Sequence, residues 1–408
     1  GKEQSVSRAT LTTIYRNTAL TWDDTRKISS YITPNEATIS GFAARALTAG
    51  GAAEPIALPK KILQAMRICD ALGVYGITYV EDPDSPFSRA LGKTEVIDTV
   101  RFPRVTLYNR TGDCDDTTAL LASLLESVGV RTAVLTTPGH IFLAFDSGQP
   151  PENAHYISTD ALEVIAREGS SWIPVETTIL SKGFVAAWAS ASALVKKYAQ
   201  AGPFEFIPVS GMRDTYPPLP LPLSSIAVVD PLKAGVDRAL ASSLEGLGAA
   251  LYGEKLKELD ARLASLSGAQ AVKVRVQQGV LHAFFGRISQ AEGVFREAIA
   301  EEPGLVSPYV NLANIRLLSS DGEGALQVVK QGLARNGGSA LLNLLAARIY
   351  ADRNDTDSVA LYFEKVKKAS PDLAAHYPEL AAGKGADGGT QRASGAGEMP
   401  TFIWSGDP

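Results

Sequence analysis

Beyond residue 225 apolar positions recur at helical spacing, and no alternation of the kind a half-buried strand needs survives there. The stretch "LKAGVDRALASSLEGLGAALYGEKLKELDARLASLSG" opens this region, and the pattern predicts helix to about residue 382. Upstream the periods are mixed. In "KILQAMRICDALG" Ile62, Met66 and Cys69 fall on one helical face, and "GITYV" is strand-like. "ALLASLLESVGV" is a helix whose Leu120, Leu121, Leu124, Leu125 and Val128 form one stripe. "TAVLTTPGHIFLAFD" follows as strand, Pro-Gly turn and second strand, with His140, Phe142 and Ala144 on one face and Ile141, Leu143 and Phe145 on the other. In "SWIPVETTIL" Trp172, Pro174 and Glu176 alternate with Ile173, Val175 and Thr177. A helix near "FVAAWASASALVKKYAQ" ends the mixed part.

Punctuation sets the boundaries. "YPPLPLPLSS", residues 216–225, is too proline-dense to continue a helix and separates the mixed part from the helical one. Residues 1–55 form an N-terminal arm with two short helices, opened by Asp/Thr and Asn caps and closed by a Gly-Ala linker. Residues 56–225 form an α+β core, and residues 226–382 an all-α region. Residues 383–408 are a glycine-rich linker and a tail whose Phe402, Ile403 and Trp404 are expected to dock as an extended peptide on the protein itself or on a neighbour.

The helical region repeats. Ala291, Ala325 and Val359 are 34 residues apart, as are Phe295, Val329 and Phe363, and Pro303, Gly337 and Pro371. Gly279, Ala313 and Ala347 place a small residue 12 positions before the first of these columns, where two helices must approach closely. This resembles the tetratricopeptide repeat, with units near 272–305, 306–339 and 340–373 and the preceding helices as a cap. The resemblance implies a solenoid whose groove holds a polypeptide substrate or a protein partner.

Composition narrows the partners. The chain has 408 residues, 45% hydrophobic and 20% charged, which is ordinary for a folded protein of two or three domains. A net charge of -5 without a dense Lys/Arg cluster argues against nucleic acid and anionic membrane surfaces. No apolar run reaches the 18 or so residues that cross a bilayer. Two cysteines make no disulfide scaffold, and Cys69, at helical spacing with Ile62 and Met66, belongs in the core.

Cys114 is different. In "TGDCDDTT" Asp113 is a good N-cap, so Cys114 falls in the first turn of a helix. The unpaired N–H groups there favour a thiolate and an oxyanion, while Asp115 and Asp116 raise the thiol pKa, so a base is needed. His140, at a strand end, is the candidate base; His155 lies in a loop, and His282 and His376 lie in the helical region. Glu176, on an adjacent strand, is the candidate to orient the imidazole. Asp113, Asp115 and Asp116 lack the ligand spacing of calcium loops and the Cys/His set of zinc sites, so no metal or other cofactor is expected.

The segments "ITYVED", "TLYNRTGDCDDTTALLASLLESVGVRTAVL", "PGHIFLAF" and "WIPVETT" together resemble the transglutaminase-like cysteine enzymes over about residues 56–210. That resemblance implies a papain-like core, in which a helix-borne cysteine packs on an antiparallel sheet, with Cys114 as nucleophile and His140 as general base and acid. Glu176 stands where the family usually has Asp, one methylene longer. Tyr79 is implied as a donor to the oxyanion. The expected reaction is thiol-dependent acyl transfer on a polypeptide amide: hydrolysis by a cysteine peptidase or amidase, with a crosslinking transglutaminase as the alternative. A non-catalytic scaffold using the repeats is a third reading. The chain starts Gly-Lys-Glu with no visible leader, and the resemblance favours a periplasmic or exported location, with the cytoplasm open.

Overall fold

The computed structural model describes residues 18–48, 58–81, 96–199, 202–221, 228–229, 233–375 and 377–381. Its strands, in chain order, are β1 (Ala19–Leu20), β2 (Thr78–Tyr79), β3 (Asp98–Thr99), β4 (Thr111–Gly112), β5 (Thr132–Thr137), β6 (His140–Asp146), β7 (Ile165–Arg167), β8 (Ser170–Val175) and β9 (Glu205–Pro208). The three alternating segments are the central strands β8, β6 and β5 of one five-stranded antiparallel sheet, ordered β7-β8-β6-β5-β9, whose short edge strands β7 and β9 the alternation did not mark. The β5–β6 hairpin closes on Gly139, whose φ of 73° is a conformation that costs glycine little. Thr137 pairs with His140, so the histidine opens its strand at the hairpin end. Two short pairs form separate sheets, β1 antiparallel to β3 and β2 parallel to β4.

The longer helices of this part are α1 (Ala37–Thr48), α2 (Lys60–Tyr75), α3 (Pro103–Asn109), α4 (Cys114–Ser127) and α5 (Phe184–Ala199). Every residue of α4 from Cys114 to Leu125 is buried. A helix covered on all sides is a core helix, and α4 packs against β6 on one flank and α1, α2 and α3 on others. The single stripe read in the sequence therefore understates its burial. Trp22, Ile28, Tyr31, Ile39 and Phe42 from the arm belong to the same apolar cluster as the α4 leucines. The proline-rich segment continues that attachment, with the Leu219 N–H donating to the Ser30 carbonyl at 2.8 Å and the Tyr216 hydroxyl to Asp24 at 2.8 Å.

Helix α3 has no counterpart in the hydrophobic pattern. "PRVTLYN" is α3 because Pro103 stands at its first position, where a missing N–H costs nothing, and Arg110 ends it in the left-handed region at φ 59°.

The all-α region begins with α6 (Lys233–Leu247), which runs through a wider turn at Gly248–Gly253 into α7 (Glu254–Leu263). Three hairpins follow: α8 (Gly268–Phe284) with α9 (Ile288–Glu301), α10 (Ser307–Leu318) with α11 (Gly322–Arg335), and α12 (Ala340–Asp352) with α13 (Thr356–Ala369). The small-residue column is where paired helices touch: a Cβ on Gly279 would lie 2.6 Å from the Phe295 ring, and Ala313 and Ala347 are fully buried. The first hairpin shares the core's apolar cluster, with Phe284 stacked on Tyr156 at 5.4 Å. The later hairpins carry clusters of their own, as expected of units that contact only their neighbours. The fold is α+β with an all-helical C-terminal region, and no described helix is long and apolar enough to cross a membrane.

Candidate active site

Local sequence explains why Cys114 starts a helix. Asp113 is extended, and its carboxylate accepts the Asp116 N–H at 3.3 Å, satisfying one of the donors a helix start leaves open. Gly112 before it is required, because a Cβ there would lie 2.7 Å from the Asp116 Cβ. Cys114 is 5% exposed. Its thiol receives the backbone N–H of Ile141, the residue after His140, so α4 and the start of β6 meet at the sulfur.

His140 and Glu176 come together through the sheet. Leu143 of β6 pairs with Val175 of β8, and Glu176 follows at the strand's end. Glu176 caps a 3-10 turn, Thr177–Lys182. Its Oε2 lies 2.7 Å from His140 Nε2, while Oε1 accepts the Thr178 N–H at 3.0 Å and the Thr178 hydroxyl at 2.7 Å. The imidazole stacks on Phe142, ring centres 5.6 Å apart. With Nε2 on the carboxylate, Nδ1 is the nitrogen left to exchange a proton.

Electrostatics set the resting state. Burial pushes the Cys114 thiol far up, the charges of Asp113 and Glu176 add to this, and the N–H groups of Ile141 and Cys114 only partly oppose it. The helix end does not outweigh desolvation, so the thiol is neutral at rest. Glu176 behaves oppositely. Burial pushes its carboxyl up, but the hydrogen bond and charge of His140 and the Thr178 donors hold it below the ordinary value.

Tyr79 sits beside this group. Parallel pairing sets it opposite Gly112, and the Val80 N–H donates to the Gly112 carbonyl at 2.9 Å. Its hydroxyl is pushed up to about 12 by partial burial and by Cys114, Glu81, Asp113 and Glu176, so it keeps its proton and remains a donor.

The helix turn also gathers the carboxylates of Asp113, Asp115 and Asp116, whose oxygens lie within 4.8 Å of one another. Sequence spacing argued against a calcium loop; a single helical turn nonetheless brings three acids together. Asp116 is bound by the Arg101 backbone N–H at 2.6 Å and by its guanidinium at 3.1 Å. Asp115 is fully buried, and desolvation, followed by the side-chain hydrogen bond and then the charge of Asp113, raises its pKa well above the ordinary carboxylate value.

The other described candidates make their contacts elsewhere. Cys69 is buried in α2. His155 packs on Tyr156 at 3.8 Å, and His282 Nδ1 lies 3.1 Å from the Tyr252 hydroxyl. His376 and the tail residues Phe402, Ile403 and Trp404 lie outside the described residues. Sequence reading passed over Thr178, although the pair "TT" directly after Glu176 was visible.

No family model matches the chain, and no solved structure matches it. Over 94 residues, 23% of this chain, it is 31% identical to the mouse (Mus musculus) Tetratricopeptide repeat protein 8. That stretch spans 18% of the mouse protein, so what the chain is similar to is part of a repeat-named protein.

Proposed function

We propose that this protein is a papain-like, transglutaminase-like cysteine enzyme that performs acyl transfer on polypeptide amides, with hydrolysis as its reaction and the helical repeats as the holder of its protein substrate. The observation that carries this reading is the 2.7 Å pair between His140 Nε2 and Glu176 Oε2, at a strand end whose next residue contacts the Cys114 thiol. Cys114 gives its proton to His140 Nδ1 as the sulfur attacks the carbonyl carbon. The tetrahedral oxyanion takes the Cys114 N–H and the Tyr79 hydroxyl as donors. As it collapses, the C–N bond breaks, His140 returns the proton to the leaving amine, and a thioester remains. Water, deprotonated by His140, attacks the thioester and releases the carboxylic acid, and the thiol recovers its proton.

A resting thiol that is neutral suits proton transfer during attack rather than a preformed ion pair. The same neutrality is the one feature favouring the alternative, a scaffold whose repeats bind proteins without turnover. The partial likeness to a tetratricopeptide repeat protein supports protein binding under either reading. The experiment is a peptide-library digestion followed by mass spectrometry of the intact chain. Cleaved peptides and acyl adducts on Cys114 are expected from the native chain and absent from Cys114→Ala; identical products from both chains overturn the enzymatic reading. Adding a primary amine separates hydrolysis from transamidation, since amide products in its presence favour the crosslinking reaction.

A further inference from the structure

Threonine hydroxyls join the three segments of the candidate site. Thr177 follows Glu176, and its Oγ1 lies 3.0 Å from Thr117 Oγ1 and 3.1 Å from Thr118 Oγ1. Thr117, one turn beyond Cys114 on α4, donates at 2.7 Å to the carbonyl of Asp113, the residue before the cysteine. Thr118 Oγ1 lies 3.5 Å from the carbonyl of Ile141, the residue after His140. Segments from three distant parts of the chain thus meet on one hydroxyl.

All three side chains are buried, at most 1% exposed. Valine has nearly the same shape and no hydroxyl to desolvate, so packing alone would be served more cheaply by valine. What hydroxyls add is direction, since each contact fixes a distance and an angle that apolar contacts leave free. A second need arises at Glu176, whose extra methylene adds a rotatable bond between the backbone and the carboxylate. Thr178 removes that freedom by donating its N–H and its hydroxyl to Oε1, leaving Oε2 on His140.

We propose that Thr177 and Thr178 are positioning residues of the acyl-transfer site: Thr178 sets the Glu176 carboxylate against His140, and Thr177 ties that segment to the Cys114 helix and, through Thr118, to the His140 strand. This rests on the reading of Cys114 as the nucleophile and His140 as its base.

The test is the rate of Cys114 alkylation by iodoacetamide in the full chain, followed at the Cys114 peptide from pH 4 to 9. Wild type is compared with His140→Ala, Thr178→Val, Thr178→Ser, Thr177→Val and Thr177→Ser, with folding checked by near-ultraviolet circular dichroism. Thr178→Val is expected to slow alkylation about tenfold near neutrality, because Glu176 loses a donor that holds its carboxylate against the imidazole. Thr178→Ser restores the rate. Thr177→Val slows alkylation about tenfold as well, and Thr177→Ser restores it. Thr118→Val, which removes a contact to Thr177 from the other side, slows it too and decides the point should Thr177→Val not fold.

A Thr178→Val rate that matches wild type overturns the role of Thr178. An unchanged rate in folded Thr177→Val, or in Thr118→Val, overturns that of Thr177. If His140→Ala itself matches wild type, the reading of the site fails first, so the two failures are distinguishable.

Discussion

Glu176 bridges His140 and Thr178, with Oε2 2.7 Å from the imidazole Nε2 and Oε1 2.7 Å from the threonine hydroxyl. A shorter acid does not span that gap. Glu176→Asp is expected to lower turnover about tenfold even though the charge is kept, and Glu176→Gln by more, because a neutral amide no longer stabilises the imidazolium. Equal kcat for wild type and the Asp variant would show that carboxylate reach has no part in the activity.

Asp113 both caps α4 and holds the thiol up. Asparagine caps a helix about as well as aspartate, so Asp113→Asn removes the charge and leaves the start of the helix intact. Burial remains the larger cause, and the thiol pKa falls only in part. Alkylation of Cys114 at pH 7.5 should rise several-fold with little change in Tm. A slower reaction in a folded variant contradicts this electrostatic account.

Asp70 is a buried acid with one oxygen occupied. Its Oδ1 accepts the Phe184 N–H at 3.2 Å and the Ser243 hydroxyl at 3.0 Å, whereas Oδ2 is buried without a hydrogen-bond partner. Desolvation raises its pKa from 3.8 to about 6. A folded-state pKa above the unfolded one means the native chain binds the extra proton between about pH 6 and 4, so this group makes the fold more stable as pH falls through that window. Asp70→Asn keeps the acceptor and loses the charge. It should stabilise the chain by about 2 kcal/mol at pH 7.5 and flatten stability between pH 6 and 4, as measured by urea unfolding. A destabilised Asn variant at pH 7.5 runs against the argument.

Gly279 marks the closest approach within the first helical hairpin. A methyl group there meets the Phe295 ring, so Gly279→Ala should cost about 1–3 kcal/mol despite the better helix propensity of alanine. Cys114 alkylation in the folded variant should be unchanged. A stabilised Gly279→Ala chain would mean that the hairpin has slack at this column.

Much of the fold was legible because it is local. The period of two in "TAVLTTPGHIFLAFD" and its Pro-Gly break specify a hairpin whatever surrounds them, and the 34-residue columns specify three helical pairs. Helix α3 was not legible, since its seven residues carry too little periodicity and depend on Pro103 and Arg110 at their ends. The arm read as an appendage because Trp22, Ile28 and Phe42 show only that something must cover them, and the leucines that do so lie about a hundred residues away.

The candidate site divides in the same way. Short-range chemistry in the chain was enough to start a helix at Cys114, to put His140 at the head of a strand and to mark Glu176 as a candidate acid beside a neighbouring strand, because capping and alternation act over a few residues. Folding alone supplied the contact of Glu176 with Thr178, the meeting of Thr117, Thr118 and Thr177, and the neutral state of the thiol. Those depend on burial and on distances between segments far apart in the chain, and neither quantity exists until the helix and the sheet have closed around them.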